Sequence, residues 1–579
     1  MKKLLSSIAI LLTLGLAPTY AQFSLNAAQQ AWVDRTLEHM TLEEKIGQVM
    51  FPVAAGVFTN QGSEAFEKIK ENIQTYHVGG YHIEGDGGDP ATAALLIKRM
   101  QELSKLPLLV TADLEGGAGY QFRGATRFPR GMAIGATGNT QYAYDAASLT
   151  AQEAKAMGFS VNFYPVVDVN NNPLNPIINI RSFGADPQSV GEFGAAYVKG
   201  TEDHDIIATA KHFPGHGDTS VDSHLELPVL NFDRARLDRI ELPPFAAAIK
   251  AGVDAVMTGH INLPQLEKTP GVPASLSYSI STGLLRHDLG FRGLVFTDAL
   301  PMHAITSNFG DAQAVVMAIR AGADVALEPV DVPKAFAALQ AAVKNGQITL
   351  DRLNESVRRL LSAKAWAGLN VLRTPDLNQL DAAVGSQAAA DKSQEIIEHA
   401  LTLVKDDKNA IPLKLPADEE VLLVNFVDTE NPEYARPSPG LTFRAGFRKR
   451  HPKTLYVAVG PTIPSGEADL IRQIAGRTHT IAVSCSIRIA SYKGSLGLSD
   501  VQEDLLSTLA HHDGPFVFAL FGSPYLLNSV PDLPSYALAY EYYPGAESAM
   551  VRALFGEIPF RGRLPVAVAS FPIGFSLKR

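Results

Sequence analysis

The sequence predicts an α/β protein in which an N-terminal (β/α)8 TIM barrel is followed by a smaller C-terminal α/β sandwich domain. Three observations carry that expectation. Between Lys45 and Pro329, eight apolar, β-rich runs alternate with helical spacers. Acids and histidines stand at or near the ends of those runs. A second set of short apolar strands follows a polar stretch that begins at Arg373. At 579 residues the chain is long for one core, so two domains of unequal size are expected. Its 46% hydrophobic and 19% charged composition is that of a folded chain, not a disordered one. The formal net charge of −10 argues against a broad basic face for neutralising phosphates, so no nucleic-acid partner is expected.

The elements follow in order. Residues 1–21 read as a signal peptide: Lys2 and Lys3, an apolar stretch over 4–16, and Thr19-Tyr20-Ala21 as a small-x-small-type cleavage site before Gln22. The stretch is short for a bilayer span. The mature form is therefore expected to be exported, periplasmic or secreted, with no transmembrane segment. The single cysteine, Cys485, allows no internal disulfide framework and lies in an apolar run, where a buried inert thiol is expected.

Strands are expected over 46–53, 78–83, 108–114, 160–169, 206–212, 254–261, 293–300 and 324–329. Spacers such as 90–103 and 313–321 carry apolar residues at three- and four-residue intervals, the mark of amphipathic helices. Glu84, Asp113, Glu115, Asp168, His212, His260, Asp298 and Glu328 fall at or near the last apolar residue of a run. Barrel enzymes keep their chemistry on that rim, so these side chains can converge on one pocket. A helix over about 350–369 ends the barrel domain, assigned to 22–372. A Thr/Pro/Asp/Asn/Gln-rich stretch then opens a linker assigned to 373–398. Strands over 420–426, 454–459, 480–486, 516–521 and 536–540 belong to a second domain over 399–579. Repeats at solenoid periods are absent.

Chemistry is densest over 211–224, where Lys211, His212, His216, Asp218, Asp222 and His224 surround a Pro214-Gly215 turn. Asp298 ends the run that starts at Gly293. A carboxylate fixed there can cap a helix, or it can attack an anomeric carbon. The second role needs a partner that protonates the leaving oxygen. In an extended Asp222-Ser223-His224 segment, residues two apart face one way, so Asp222 can hold the His224 ring, and imidazole exchanges protons near neutral pH. Taken alone, the triplet also reads as a turn acid beside a surface histidine. His212 and His216 are four residues apart, but Pro214-Gly215 breaks the helix that a zinc pair at this spacing uses, so no metal is expected.

Lys211-His212-Phe213-Pro214-Gly215-His216-Gly217, followed by Asp222-Ser223-His224 and Leu227-Pro228, resembles the signature of glycoside hydrolase family 3, in its β-N-acetylglucosaminidase branch. The likeness covers nearly the whole mature chain. It runs through Met40-Thr41-Leu42-Glu43-Glu44-Lys45-Ile46-Gly47-Gln48, Asp113-Leu114-Glu115-Gly116-Gly117 and Arg181-Ser182-Phe183-Gly184. It continues through Phe291-Arg292-Gly293, Thr297-Asp298-Ala299-Leu300 and Gly562-Arg563-Leu564-Pro565-Val566.

The resemblance implies a two-domain, cofactor-free retaining exo-β-N-acetylglucosaminidase. Asp298 matches the nucleophile, and His224 with Asp222 matches the acid/base dyad. Asp113, Arg181, Lys211 and His212 match positions that hold hydroxyls of the terminal sugar. Lys211 and Arg181 are expected to keep Asp298 ionised. The implied partner is a carbohydrate, a GlcNAc-containing muropeptide or a chitooligosaccharide. A glycoside phosphorylase, or a β-glucosidase or β-xylosidase, stays open as an alternative. Ordinary β-glucosidases of the family take their acid, usually a glutamate, from the second domain, so the Asp-Ser-His loop separates the branches. Two positions depart from the branch. Gln121 stands near the place of an arginine, the nearest being Arg123, and Ala299 stands where many members have a second acid. In the second domain, Glu541-Tyr542-Tyr543 reads as structural.

Overall fold

The computed structural model describes residues 23–85, 87–372, 374–429, 439–489, 493 and 497–578. The signal-peptide assignment lies outside these residues. The first domain is a closed ring of eight parallel strands. They are β1 (Met50–Phe51, resuming as Val53–Ala55), β2 (Gly80–Glu84), β3 (Leu109–Ala112) and β4 (Val161–Asn162). Then come β5 (Ile207–Phe213), β6 (Ala255–Thr258), β7 (Leu294–Thr297) and β8 (Ala326–Leu327). Neighbours pair in sequence order, and the ring closes where Met50 pairs with Ala326 and Phe296 bridges Val325. Strands covered on both faces need apolar side chains on both, so they appear in the sequence as unbroken runs.

Most runs are shorter as strands than expected, and three of them show local detail. Over 46–53, Leu42–Gln48 is a helix started by a Thr41/Glu44 capping box, with Ile46 on its buried face, so strand begins only at Met50. Over 160–169, the regular strand ends at Asn162, but backbone bonds to β5 continue irregularly, with Thr209 N–H on Tyr164 O at 3.1 Å, Lys211 N–H on Pro165 O at 3.1 Å and Val167 N–H on Lys211 O at 2.9 Å. Over 324–329, Glu328 turns out of the strand with φ of 54°. The spacers behave as read. Pro90–Leu103 is a helix with Asp89 as its N-cap and proline at its start, and Asp311–Ala321 and Leu350–Trp366 are helices too.

In the second domain a six-stranded sheet comprises β9 (Thr402–Asp406), β10 (Val421–Val427), β11 (Thr454–Val459), β12 (Thr480–Ile487), β13 (Phe516–Gly522) and β14 (Ser535–Leu538). Their order is β9-β14-β13-β12-β10-β11, parallel except for the antiparallel edge strand β9. Helices Gln387–Ala400, Leu441–Arg450 and Pro544–Leu554 form one packed group, and Ser465–Ala475 with Asp500–Ala510 another. The chain thus has the expected α/β architecture. Cys485 is buried in β12, and burial pushes its thiol well above the usual range, as an inert thiol requires. No helix among the described residues is long and apolar enough to cross a membrane.

Within the stretch 373–398 assigned to the linker, Gln387–Ala400 is a helix capped by Ser386. Its Ala389 and Ile396 join the barrel core, while Ile397 and Ala400 join the second core. Met132, Ala133, Ala136 and Ile180 of the barrel pack into that second core as well. The tail closes the contact: Arg563 N–H donates to Ala136 O at 2.8 Å and Ala185 N–H to Pro565 O at 3.0 Å. A Cβ at Gly184 would stand 2.7 Å from Pro565 O, so the glycine of Arg181-Ser182-Phe183-Gly184 allows this approach.

Candidate active site

A cavity of about 360 Å³ opens at the C-terminal ends of the barrel strands. Asp298, His224, Asp113, Arg181, Lys211 and His212 all line it, and Asp222 lies buried against His224. Every site residue read from the sequence is therefore brought to one place.

Asp298 follows β7, where its N–H donates to Thr258 O at 2.9 Å and its Oδ1 accepts from Ala299 N–H at 2.9 Å. Burial opposes its charge, but His212, His260 and His224 outweigh that and hold the carboxyl well below the usual carboxylate range. Lys211 and Arg181, expected to serve Asp298, are not among these groups. Both cations have nearer acids. Arg181 grips Glu115 with Nε and Nη2 at 2.9 and 2.7 Å, and Lys211 pairs with Glu115 at 2.9 Å and with Asp113. Burial pulls the Lys211 ammonium down, and Asp113 and Glu115 more than restore it. Glu115 is thus the counterion that keeps two buried cations in place.

The three histidines of the motif have different tasks. His212 Nδ1–H donates to Asp168 at 2.7 Å, and this wholly buried acid also accepts the backbone N–H of His216 at 2.6 Å. That orientation leaves His212 Nε2 3.3 Å from Arg181 Nη2. His216 is a loop anchor. Its ring bonds Thr219 Oγ1 at 2.8 Å and Ser223 Oγ at 3.0 Å, and burial lowers it to about 4, so it is neutral at neutral pH. Loop 218–224 is also tied down by Arg236 on Asp218 at 3.0 Å. His224 ends it with Nδ1–H on Asp222 Oδ1 at 2.7 Å, and its backbone N–H reaches the same oxygen at 2.9 Å. With Nδ1 committed to Asp222, Nε2 is the ring nitrogen that can exchange a proton with a substrate in the cavity. His224 lines the same cavity as Asp298, with Asp222 behind it.

The departures from the branch pattern also have a place. Gln121 lines the cavity, accepting from Gly85 N–H at 3.1 Å and donating to Asp113 O at 3.2 Å, whereas Arg123 bonds Gly87 O and lies away from it. The cavity has instead a guanidinium that the sequence reading missed, Arg130. Its Nε–H donates to Glu541 Oε2 at 2.6 Å, and it stacks 5.5 Å from the Tyr120 ring centroid. Glu541 comes from the second domain, is wholly buried, and is 3.5 Å from Arg127 as well. The structural reading of Glu541 thus extends to the site: it secures a cavity residue across the domain boundary. Among the described residues, the second domain itself contributes Ile489 to the lining. Ala299 N–H bonds Asp298, and its carbonyl oxygen accepts from His260 at 2.9 Å. His82, Glu84 and Glu328 form the remaining polar wall, their ligating atoms within 4.8 Å of one another.

Comparison with known proteins agrees with this geometry. The glycosyl hydrolase family 3 N-terminal domain matches residues 41–363. A β-N-acetylglucosaminidase/β-glucosidase of Cellulomonas fimi is 32% identical over 563 residues, covering 95% of this chain and 97% of that protein. A solved family 3 β-N-acetylglucosaminidase from Paenibacillus sp. str. FPU-7 is 32% identical with a TM-score of 0.81, covering 93% of this chain and 100% of that one. A solved β-glucoside phosphorylase is 25% identical with a TM-score of 0.82, covering 94% and 97%. The family match begins at the Thr41 capping box, spans all eight strands and reaches into the helix Leu350–Trp366, and the chain belongs to glycoside hydrolase family 3.

Proposed function

We propose that the protein is a retaining exo-β-N-acetylglucosaminidase that releases terminal GlcNAc through a covalent intermediate on Asp298, with His224 and Asp222 as acid/base dyad. One observation carries the reading: Asp298 and an Asp222-bound His224 line the same cavity. In the first step Asp298 attacks C1 while the C1–O bond to the leaving group breaks and protonated His224 gives its Nε2 proton to that oxygen. In the second, neutral His224 takes a proton from water, the water oxygen bonds C1, and the ester to Asp298 breaks. Two inversions at C1 retain the β configuration. Asp113, Arg181, Lys211 and His212 hold the sugar hydroxyls, with Glu115 and Asp168 fixing them from behind.

The sugar is assigned from the relatives named for β-N-acetylglucosaminidase activity. Muropeptides and chitooligosaccharides are the proposed natural substrates, met outside the cytoplasm if residues 1–21 direct export. No step is assigned to a metal or organic cofactor. The phosphorylase relative supports a second reading, in which phosphate replaces water, because an imidazole base does not repel an incoming anion.

Aryl β-GlcNAc, β-glucoside and β-xyloside substrates compared under one set of conditions test the function. GlcNAc is expected to lead in kcat/KM by roughly 10- to 200-fold, the scale of a lost pocket contact, with β-GlcNAc as first product by NMR. A leading glucoside or xyloside would overturn the assigned sugar, and an α-product the retaining mechanism. GlcNAc-1-phosphate under saturating phosphate would make the protein a phosphorylase.

A further inference from the structure

Two residues on the barrel rim have no part in the proton and glycosyl transfers. His82 lies in β2 and Glu328 just beyond β8, on either side of β1, where the ring closes. Glu328 N–H donates to Phe51 O of β1 at 2.7 Å, and its φ of 54° is uncommon for a residue with a side chain. The backbone so held leaves the carboxyl lining the cavity with only 13% of the side chain exposed. The His82 ring is immobilised too. It stacks on Phe163 at 5.4 Å between centroids, and its Nδ1 is 3.0 Å from Thr111 Oγ1. Its other nitrogen, Nε2, stands 3.7 Å from Asp113 Oδ2 and 3.9 Å from Glu328 Oε1. These separations are too long for hydrogen bonds, and an oxygen placed between the groups can bond both ends.

We propose that Glu328 and His82 form a hydroxyl-binding pair that reads one hydroxyl of the terminal sugar, which makes Glu328 a specificity-determining residue of the reaction. This rests on the glycosidase reading above, and on Asp113, beside His82, belonging to the sugar site. The protonation states fit one hydroxyl. Burial lowers His82, so its ring is neutral, and in the tautomer assigned to this pair Nδ1–H donates to Thr111 Oγ1 and Nε2 accepts. Burial, then Glu84, Asp113 and Asp298, push Glu328 up to about 8, so at neutral pH its carboxylic acid donates. A sugar hydroxyl that gives its hydrogen to His82 and accepts one from Glu328 satisfies both. The charged and titratable groups around Glu328 are His82 and Glu84 from β2, Asp113 beyond β3, Lys211 in β5 and Asp298 beyond β7. Above the Glu328 transition the donor is lost and a further anion faces Asp298, so kcat/KM is expected to fall as pH rises past about 8.

The test uses aryl β-GlcNAc and its 3-, 4- and 6-deoxy analogues with wild type, Glu328→Ala and Glu328→Gln, each checked for folding by circular dichroism. Glu328→Ala is expected to lose roughly 10- to 100-fold in kcat/KM on the parent sugar. For one deoxy analogue, wild type should show a similar loss and Glu328→Ala no further one. Glu328→Gln, which keeps a neutral donor, should retain most activity and lose the alkaline fall. Independent, multiplying losses for all three analogues would overturn the proposal, as would equal inactivity of both variants. Inactivation by a chelator that added divalent cation reverses would assign His82, Glu84 and Glu328 to a metal and overturn it as well. A wild type that releases no GlcNAc defeats the glycosidase reading instead, before the variants are compared.

Discussion

Asp298→Ala is expected to lower kcat on every β-GlcNAc substrate by roughly five to six orders of magnitude, the scale seen when a covalent nucleophile is removed. The loss should not depend on the leaving group, because without the carboxylate no glycosyl-enzyme forms. The fold should persist. Asp298 is a partly buried carboxylate whose side chain accepts one backbone N–H, so removing it also removes a desolvation cost. Added azide provides a second readout. An anion small enough for the vacated space attacks C1 from that side, and the expected product is the α-glycosyl azide, identified by NMR. Turnover within tenfold of wild type, or a β-azide, would remove Asp298 from the role.

Glu541→Ala is the second large effect. It leaves Arg130, almost wholly buried, and the nearby Arg127 without their shared counterion. Breaking a buried pair from one side costs about 3–5 kcal/mol, so a marked drop in Tm is expected by scanning calorimetry. Activity should fall too, because Arg130 lines the cavity. Glu541→Gln keeps the shape and an acceptor, so it should be the milder change. In both variants the loss in kcat/KM should be the same for good and poor leaving groups. A loss confined to poor leaving groups would identify Glu541 as the acid and contradict the account. The second domain thus acts on the site by holding a barrel arginine, a part that neither composition nor motif spacing predicted.

Features set by local sequence were legible. The apolar runs mark the strands because a buried parallel barrel needs apolar side chains on both faces, and their last residues lie on the rim, where Asp113, His212, Asp298 and Glu328 meet. The helix Pro90–Leu103 carried its own start signal in Asp89-Pro90. Features decided by pairing at a distance were not. Glu115 and Asp168 were visible as rim acids, but Arg181 lies 66 residues from Glu115 and His212 44 residues from Asp168, and Arg130 and Glu541 are 411 apart. The cations assumed to serve Asp298 are captured by nearer acids, a competition that only geometry decides. The edge strand β9 escaped notice because five residues ending in Lys405-Asp406 resemble loop, and the helix Gln387–Ala400 lies in a polar stretch whose few apolar residues serve two cores.

The central claim is that this active site uses His224, held by Asp222, as its proton donor. The most direct measurement is kcat/KM of His224→Ala on an aryl β-GlcNAc with a good leaving group and on an unactivated GlcNAc-β-1,4-linked disaccharide. General acid catalysis contributes about 10²–10⁴-fold, and only a poor leaving group needs all of it in the first step. The account predicts a loss of that size on the disaccharide and a much smaller loss on the aryl substrate. Equal losses on both would contradict it and leave His224 as part of the loop's structure alone.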